Sequence, residues 1–232
     1  MAFLKTKGAT DDFKAEVESY SDDYIRLFVP DVYQENIYDI DYNTLWEKGI
    51  RVLTYDIDDT ISDTFVNKVT DYLPGLKVPV PKDAKKFFAI LKEMGFKLVI
   101  ITNAREELAE RFWKELGFDY YINRAEKPKP DSWEKVREVF GVEKSAMAHI
   151  GNNMRKDIFG GNDFGIVTCL VRNVGSNPVR KVLKTKGHYI RKELTKRGMW
   201  HKHHVDSKND QYYHLGEKQS NSPNFPNTPK ES

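Results

Sequence analysis

Asp56 and Asp58 stand two residues apart, directly after the β-rich run Arg51-Val52-Leu53-Thr54-Tyr55. Alternate side chains of an extended chain share a face, so both carboxylates point the same way where that strand ends. One such carboxylate can attack an electrophilic phosphorus while the other handles a proton. Two close carboxylates also repel each other, and a divalent cation would relieve that repulsion. Thr102 closes the apolar run 96–101; its hydroxyl and the following N–H groups at a helix start could cradle a phosphate. Lys127 lies in Glu126-Lys127-Pro128-Lys129-Pro130, where the prolines limit the entropy lost in fixing an ammonium that neutralises a transferring phosphoryl group. Lys129 is its rival. Gly151-Asn152-Asn153-Met154-Arg155-Lys156-Asp157 follows another apolar run, and its oxygen-bearing side chains could complete a Mg²⁺ shell. Each signal has a plain alternative: a solvated acidic turn, an N-cap threonine, an exposed loop lysine, a glycine turn with an Asn cap.

The elements that must position these residues alternate. Runs 51–55, 96–101, 119–122, 146–150 and 166–171 read as strands. Apolar periodicity predicts helices over 82–94 with Gly95 after it, 105–116 with Gly117 as its stop, 130–140, and 156–163. This order points to an α/β fold, a three-layer Rossmann-like and mostly parallel sheet covered on both faces. Right-handed crossovers gather the strand ends on one edge, where ligands of such sheets bind. The acid pair, Thr102, Lys127 and the Gly151-Asn152 loop should therefore converge. A receiver domain would also place acids, Thr and Lys on a parallel sheet, but its phosphorylated Asp follows a later, central strand.

At 232 residues the chain can bury a sizeable core without disulfides. The reading divides it into an N-terminal extension (1–27), a catalytic domain (28–178), a basic helical extension (179–204) with Val179, Val182 and Leu183 on its apolar side, and a disordered tail (205–232) rich in Asn, Lys, Ser and Pro. Residues 25–49 read as a lead-in packed on the domain edge. The single cysteine, Cys169, excludes an intrachain disulfide and suits a reducing cytosol. Within its apolar run it reads as a core residue. No run approaches the ~20 apolar residues that span a bilayer, and Met1-Ala2-Phe3-Leu4-Lys5 lacks a signal-peptide core. A cytoplasmic location is expected. The net charge of +2 hides a local excess, because Glu193 is the one acid between Arg172 and His204. That segment is either a solvated helical face or an attractor of phosphates, nucleic acid or anionic lipid, so peripheral membrane contact is a further expectation. His201, His203 and His204 have no Cys or carboxylate at metal-site spacing and read as solvated tail.

In order and spacing, the four sites resemble the four motifs of the haloacid dehalogenase-like (HAD) superfamily of phosphohydrolases, over about residues 28–182. The nearest likeness is to the YqeG-like HAD-IIIA group, which includes the mitochondrial phosphatidylglycerophosphate phosphatases. Supporting strings are the lead-in 30–49, Lys127-Pro128, and Asp157-Ile158-Phe159-Gly160-Gly161-Asn162 followed by Gly165. The resemblance implies a capless domain, since 62–81 is too short for a cap. It implies a Mg²⁺-dependent phosphomonoester hydrolase with an aspartyl-phosphate intermediate. Asp56 would be the nucleophile and Asp58 the acid, then base. Thr102, Asn103 and Lys127 would hold the phosphoryl group. Mg²⁺ would bind Asp56, the Asp58 carbonyl and Asn152, with Asp157 as a further candidate. The family usually has Asp where this chain has Asn152, whose amide oxygen can ligate without formal charge, so weaker metal affinity is expected. The implied substrate is a phosphorylated small molecule or phospholipid headgroup, phosphatidylglycerophosphate among them; an oligomer is allowed, and nucleic acid is not the expected partner. The alternative is a catalytically weak or inactive HAD-like binding protein that contacts nucleic acid or a protein through its basic segment.

Overall fold

The computed structural model of the chain describes residues 6–63, 80–172 and 186–200. Helices α1 (Thr6–Glu18) and α2 (Asp22–Arg26) lead to strand β1 (Val32–Gln34), a 3₁₀ turn (Ile37–Asp39) and α3 (Tyr42–Glu47). There follow β2 (Val52–Tyr55), α4 (Lys82–Glu93), β3 (Lys97–Ile101), α5 (Glu106–Leu116), β4 (Tyr120–Ile122) and α6 (Asp131–Phe140). A second 3₁₀ turn (Lys144–Ala146) precedes β5 (Met147–Gly151), a π-helical turn (Met154–Phe159), α7 (Gly160–Phe164), β6 (Val167–Val171) and α8 (Lys186–Lys196). The strands form one six-stranded sheet in the order β1-β6-β5-β2-β3-β4, and every pairing is parallel.

The sequence builds the layers by alternation. On β2 and β3, Leu53, Tyr55, Leu98 and Ile100 turn to one face, where they pack with Phe88 of α4 and Phe112 of α5. Val52, Val99 and Ile101 turn to the other, against Trp133 and Val136 of α6 and Phe164 of α7. A sheet apolar on both faces requires helices on both, giving the three-layer α/β architecture. Cys169 is buried in the first of these cores. Helix α5 stops where its spacing predicts: Gly117 takes the left-handed conformation at φ 73° and its N–H bonds back to Trp113.

Two elements differ from the sequence expectations. The lead-in does more than pack on the edge, because Val32–Gln34 adds a strand to the sheet beside β6. The helix predicted over 156–163 is instead a π-helical turn running into a short α-helix. Asn153 causes the wider turn: its side chain accepts from the Arg155 and Lys156 N–H groups, and its carbonyl accepts from Ile158, five residues on, at 3.3 Å. Such turns gather at functional sites, and this one carries Asp157 to the sheet edge.

A polar knot ties the lead-in to the domain. Asp31 Oδ2 accepts from the Thr168 N–H at 2.8 Å, and the Thr168 hydroxyl donates to Asn162 Oδ1 at 2.8 Å. Asn162 Nδ2 donates to the carbonyls of Leu27 and Val29 at 2.7 and 2.8 Å. Asn162→Ala would strand these acceptors, so it is expected to destabilise the protein by about 2 kcal/mol, measured by urea unfolding.

A third apolar cluster sits on the β1–β6 side. Val17, Ile25, Phe28, Met154 and Leu170 pack there with Ile190 and Leu194 of α8. The apolar face of the basic helix is therefore buried in the protein. Part of its charge is also spent, since Lys186 pairs with Glu16 and Arg197 with Asp22 and Glu193. Val179, Val182, Leu183, the three tail histidines, the 205–232 segment and most of the 62–81 linker lie outside the described residues. Among the described residues no helix is long and apolar enough to cross a membrane.

Candidate active site

The strand register builds the site. Tyr55 of β2 is level with Ile100 of β3 and Ile150 of β5. Asp56 and Gly151 lie one residue beyond that level and Thr102 two, so Asp56, Thr102 and the Gly151-Asn152 loop emerge together at the carboxyl edge. The Asp56 N–H donates to the Ile150 carbonyl at 3.0 Å, continuing the ladder one residue past the strand. Beyond it the chain winds tightly: the N–H groups of Thr60, Ile61 and Ser62 all bond the Ile57 carbonyl, at 3.1, 3.0 and 3.1 Å. Asp59 takes φ 59°, a conformation that Asp tolerates better than most residues. Asp56 ends up buried and Asp58 half-buried.

Lys127 is the residue that meets Asp56. Its side chain is 1% exposed, and its ammonium lies 3.0 Å from Asp56 Oδ1 and 2.7 Å from Asp157 Oδ1. The rival Lys129 is exposed and pairs with Glu126. Asn103 brackets the Lys127 backbone: its Oδ1 accepts the Lys127 N–H at 3.0 Å and its Nδ2 donates to the Lys127 carbonyl at 3.3 Å. Thr102 is fully buried, and its hydroxyl oxygen accepts from the Ala104 N–H at 3.1 Å, which leaves the hydroxyl proton for another acceptor.

Asp157 has both oxygens engaged. Oδ1 takes Lys127 and lies 3.1 Å from His149 Nε2; Oδ2 accepts the Asn153 N–H at 2.9 Å. Its carboxylate fits because residue 151 is glycine: a Cβ there would sit 2.3 Å from the Asp157 carboxyl carbon. Asn152 reaches the other way, with its Oδ1 3.4 Å from the Thr60 hydroxyl, so the fourth loop touches the first.

The charges are coupled. Burial raises Asp56 to about 6 against the pull of Lys127, with Asp157 and Asp58 adding to the rise. Burial would raise Asp157 too, but Lys127 and His149 outweigh it and hold it well below the usual carboxylate range. Burial pulls Lys127 down, yet the two carboxylates leave it above its ordinary value. The result is a permanently charged ammonium between two carboxylates, one of which is close to neutrality's edge.

His149 is a participant that the sequence reading passed over. It lies fully buried on β5 with Thr54 of β2 as its register partner. Its signal was a ring with two polar atoms in the apolar run 146–150, opposite a threonine in another apolar run. Burial pushes the imidazole down to about 4, so it is neutral at physiological pH.

The donor set suits Mg²⁺. The Asp56 carboxylate, the Asp58 carbonyl and the Asn152 amide are hard oxygens on two touching loops. Among the described residues no three His, Cys, Asp or Glu side chains cluster to hold an ion. A cation here would therefore lean on carbonyl, amide and water oxygens, which Mg²⁺ accepts. Asp157, with its oxygens on Lys127, His149 and Asn153, faces protein donors. The arrangement as a whole can present one buried carboxylate to a phosphorus atom, with fixed positive charge beside it and a second carboxylate two residues along.

A sequence model of the family described as haloacid dehalogenase-like hydrolase matches residues 6–165. The chain is 26% identical to the probable phosphatase YqeG of Bacillus subtilis, over 70% of this chain and 95% of that protein. It is 29% identical to a phosphoglycolate phosphatase of Neisseria gonorrhoeae, over 66% of this chain and 62% of that protein. Among solved structures, the cobalt-bound deoxy-D-mannose-octulosonate 8-phosphate phosphatase YrbI of Haemophilus influenzae aligns at a TM-score of 0.43 and 12% identity, covering 66% of this chain and 91% of that one.

Proposed function

The chain belongs to the haloacid dehalogenase-like hydrolases, and from that premise we propose that it is a Mg²⁺-dependent phosphomonoesterase working through an aspartyl phosphate on Asp56. The observation that carries the reading is the buried Asp56 carboxylate with the Lys127 ammonium 3.0 Å away. An Asp56 oxygen attacks phosphorus and the ester P–O bond breaks. The departing alkoxide takes a proton from Asp58. Asp58 then takes a proton from water as the water oxygen attacks phosphorus, releasing inorganic phosphate and restoring Asp56. Lys127 offsets charge on the phosphoryl oxygens, and Thr102 donates its hydroxyl proton to one of them. Mg²⁺, held by Asp56, the Asp58 carbonyl and Asn152, would add positive charge at those oxygens. Asp157 serves by holding Lys127 and not as a ligand.

The substrate is a phosphorylated metabolite or a phospholipid headgroup such as that of phosphatidylglycerophosphate, a range that accords with a segment 62–81 too short to form a cap domain. A cytoplasmic protein with peripheral membrane contact through its basic segment accords with that reading. The direct test is a panel of soluble phosphomonoesters and phospholipid monoesters assayed with Mg²⁺ and with EDTA. Magnesium-dependent release of inorganic phosphate supports the proposal. Purified protein that turns over no member of the panel would favour the binding-protein alternative.

Two further results are expected. Asp56 must be ionised to attack, and burial raises it to about 6. At limiting Mg²⁺ the kcat/KM should therefore climb as pH rises through about 6 and level off above, with the midpoint moving down as Mg²⁺ is raised, read from pH–rate profiles. Asn152→Asp restores a charged oxygen on the fourth loop. It should lower the Mg²⁺ concentration for half-maximal rate by about tenfold, read from a magnesium titration.

A further inference from the structure

Thr54 and His149 take no part in the chemistry described, yet both are polar and fully buried on neighbouring central strands. The other side chains around them on β5, Met147, Ala148 and Ile150, are apolar. A position needed only for packing would be filled in the same way. Burying an imidazole or hydroxyl without partners costs about 1–3 kcal/mol each, so their bonds matter. The bonds form one line. Thr54 Oγ1 lies 2.8 Å from His149 Nδ1, and His149 Nε2 lies 3.1 Å from Asp157 Oδ1. Asp157 Oδ1 in turn lies 2.7 Å from the Lys127 ammonium, which is 3.0 Å from Asp56.

An ionised Asp157 carries no proton, so Nε2 is the donor in its bond, and the unprotonated Nδ1 accepts from the Thr54 hydroxyl, which stands 2.8 Å from it and 3.1 Å from the Ala148 carbonyl. The ring thus has one tautomer and one orientation, and the indole of Trp133 stands edge-on at 5.2 Å between centroids. We propose that His149 is a positioning residue that pins Asp157 Oδ1, so that Lys127 is held against Asp56 instead of drifting with a carboxylate that the Asn153 N–H anchors through Oδ2 alone. The role rests on the reading of Asp56 and Lys127 as phosphatase residues. It predicts a loss in kcat and not in substrate affinity, because His149 acts through Asp157 and Lys127 and meets no substrate.

The test uses the full chain with His149→Leu, His149→Gln and Thr54→Val, each also in an Asp157→Asn background. His149→Leu removes the donor and should lower kcat about 10–100-fold with KM nearly unchanged. His149→Gln offers an amide N–H toward Asp157 and should recover most of that loss. In the Asp157→Asn background, His149→Leu should add less than about twofold, since its target has already changed. A parallel readout needs no turnover: the ¹H–¹⁵N signal of the Lys127 ammonium in ¹⁵N-lysine-labelled protein, assigned by its loss in Lys127→Met. It should persist in wild type and His149→Gln and vanish through solvent exchange in His149→Leu. Losses that multiply in the Asp157→Asn background, or a Lys127 signal and kcat unmoved by His149→Leu, would overturn the proposal. Should His149→Leu fail to fold, Thr54→Val decides: it should weaken the signal in the same direction, and an unchanged signal overturns the role. A wild type without turnover would sink the phosphatase reading alone, leaving the ammonium signal to judge His149.

Discussion

Asp56→Asn is expected to lower phosphomonoester turnover by at least about 10⁴-fold while leaving the protein folded. An amide has the shape of the carboxylate but cannot form the acyl phosphate. Thr102, Lys127 and the loop N–H groups all remain, so what survives is binding without a nucleophile. Stability should be little changed because the native site already disfavours charge here: burial raises Asp56 toward neutrality, and Lys127 keeps its 2.7 Å bond to Asp157. The check is a coupled phosphate assay sensitive to trace rates, beside thermal unfolding of the same preparation. Loss of turnover together with loss of the folded state would say nothing about the nucleophile, so both must be read.

Lys127→Met should be damaging in a different way, striking activity and stability at once. The lysine side chain is 1% exposed and separates two carboxylates. Removing it leaves Asp56 and Asp157 buried without their cation, a change that typically costs about 3–5 kcal/mol. Turnover should fall about 10³-fold, since charge on the phosphoryl group loses its fixed counterion. The pH dependence gives a sharper signature. Without the ammonium, Asp56 titrates still further above its unfolded value, so it contributes stability at low pH that is lost as pH rises, while Asp157 loses one of the two partners that hold it low. The deficit against wild type should therefore be largest near pH 8 and shrink toward pH 5, measured by urea unfolding at both. A deficit independent of pH would mean that Lys127 matters for packing alone.

Much of the architecture was legible because local signals agreed. The apolar runs at 51–55 and 96–101 became β2 and β3, and Gly117 ended its helix as its spacing required. The α/β class followed from alternation alone. What escaped depended on distant partners. Strand β1 is three residues long, and Val32 pairs with Cys169, far along the chain, so no local period betrays it. The π-helical turn arises from the Asn153 side chain competing for backbone N–H groups, which apolar periodicity cannot register. The candidate site shows the same division. The residues that converge could be named from strand ends. The engagement of Asp157 by His149 and of the Lys127 backbone by Asn103 is tertiary, and no local pattern at those positions encodes it.

The central claim is that phosphorus passes through Asp56 before reaching water. The stereochemical course at phosphorus tests it without requiring any intermediate to accumulate. A phosphorothioate monoester made chiral at phosphorus by sulfur and two oxygen isotopes, hydrolysed by the wild-type protein in water of the third isotope, should give inorganic thiophosphate with retained configuration, because two in-line displacements each invert it. Inversion would mean that water attacks the substrate directly, and Asp56 would then be no nucleophile.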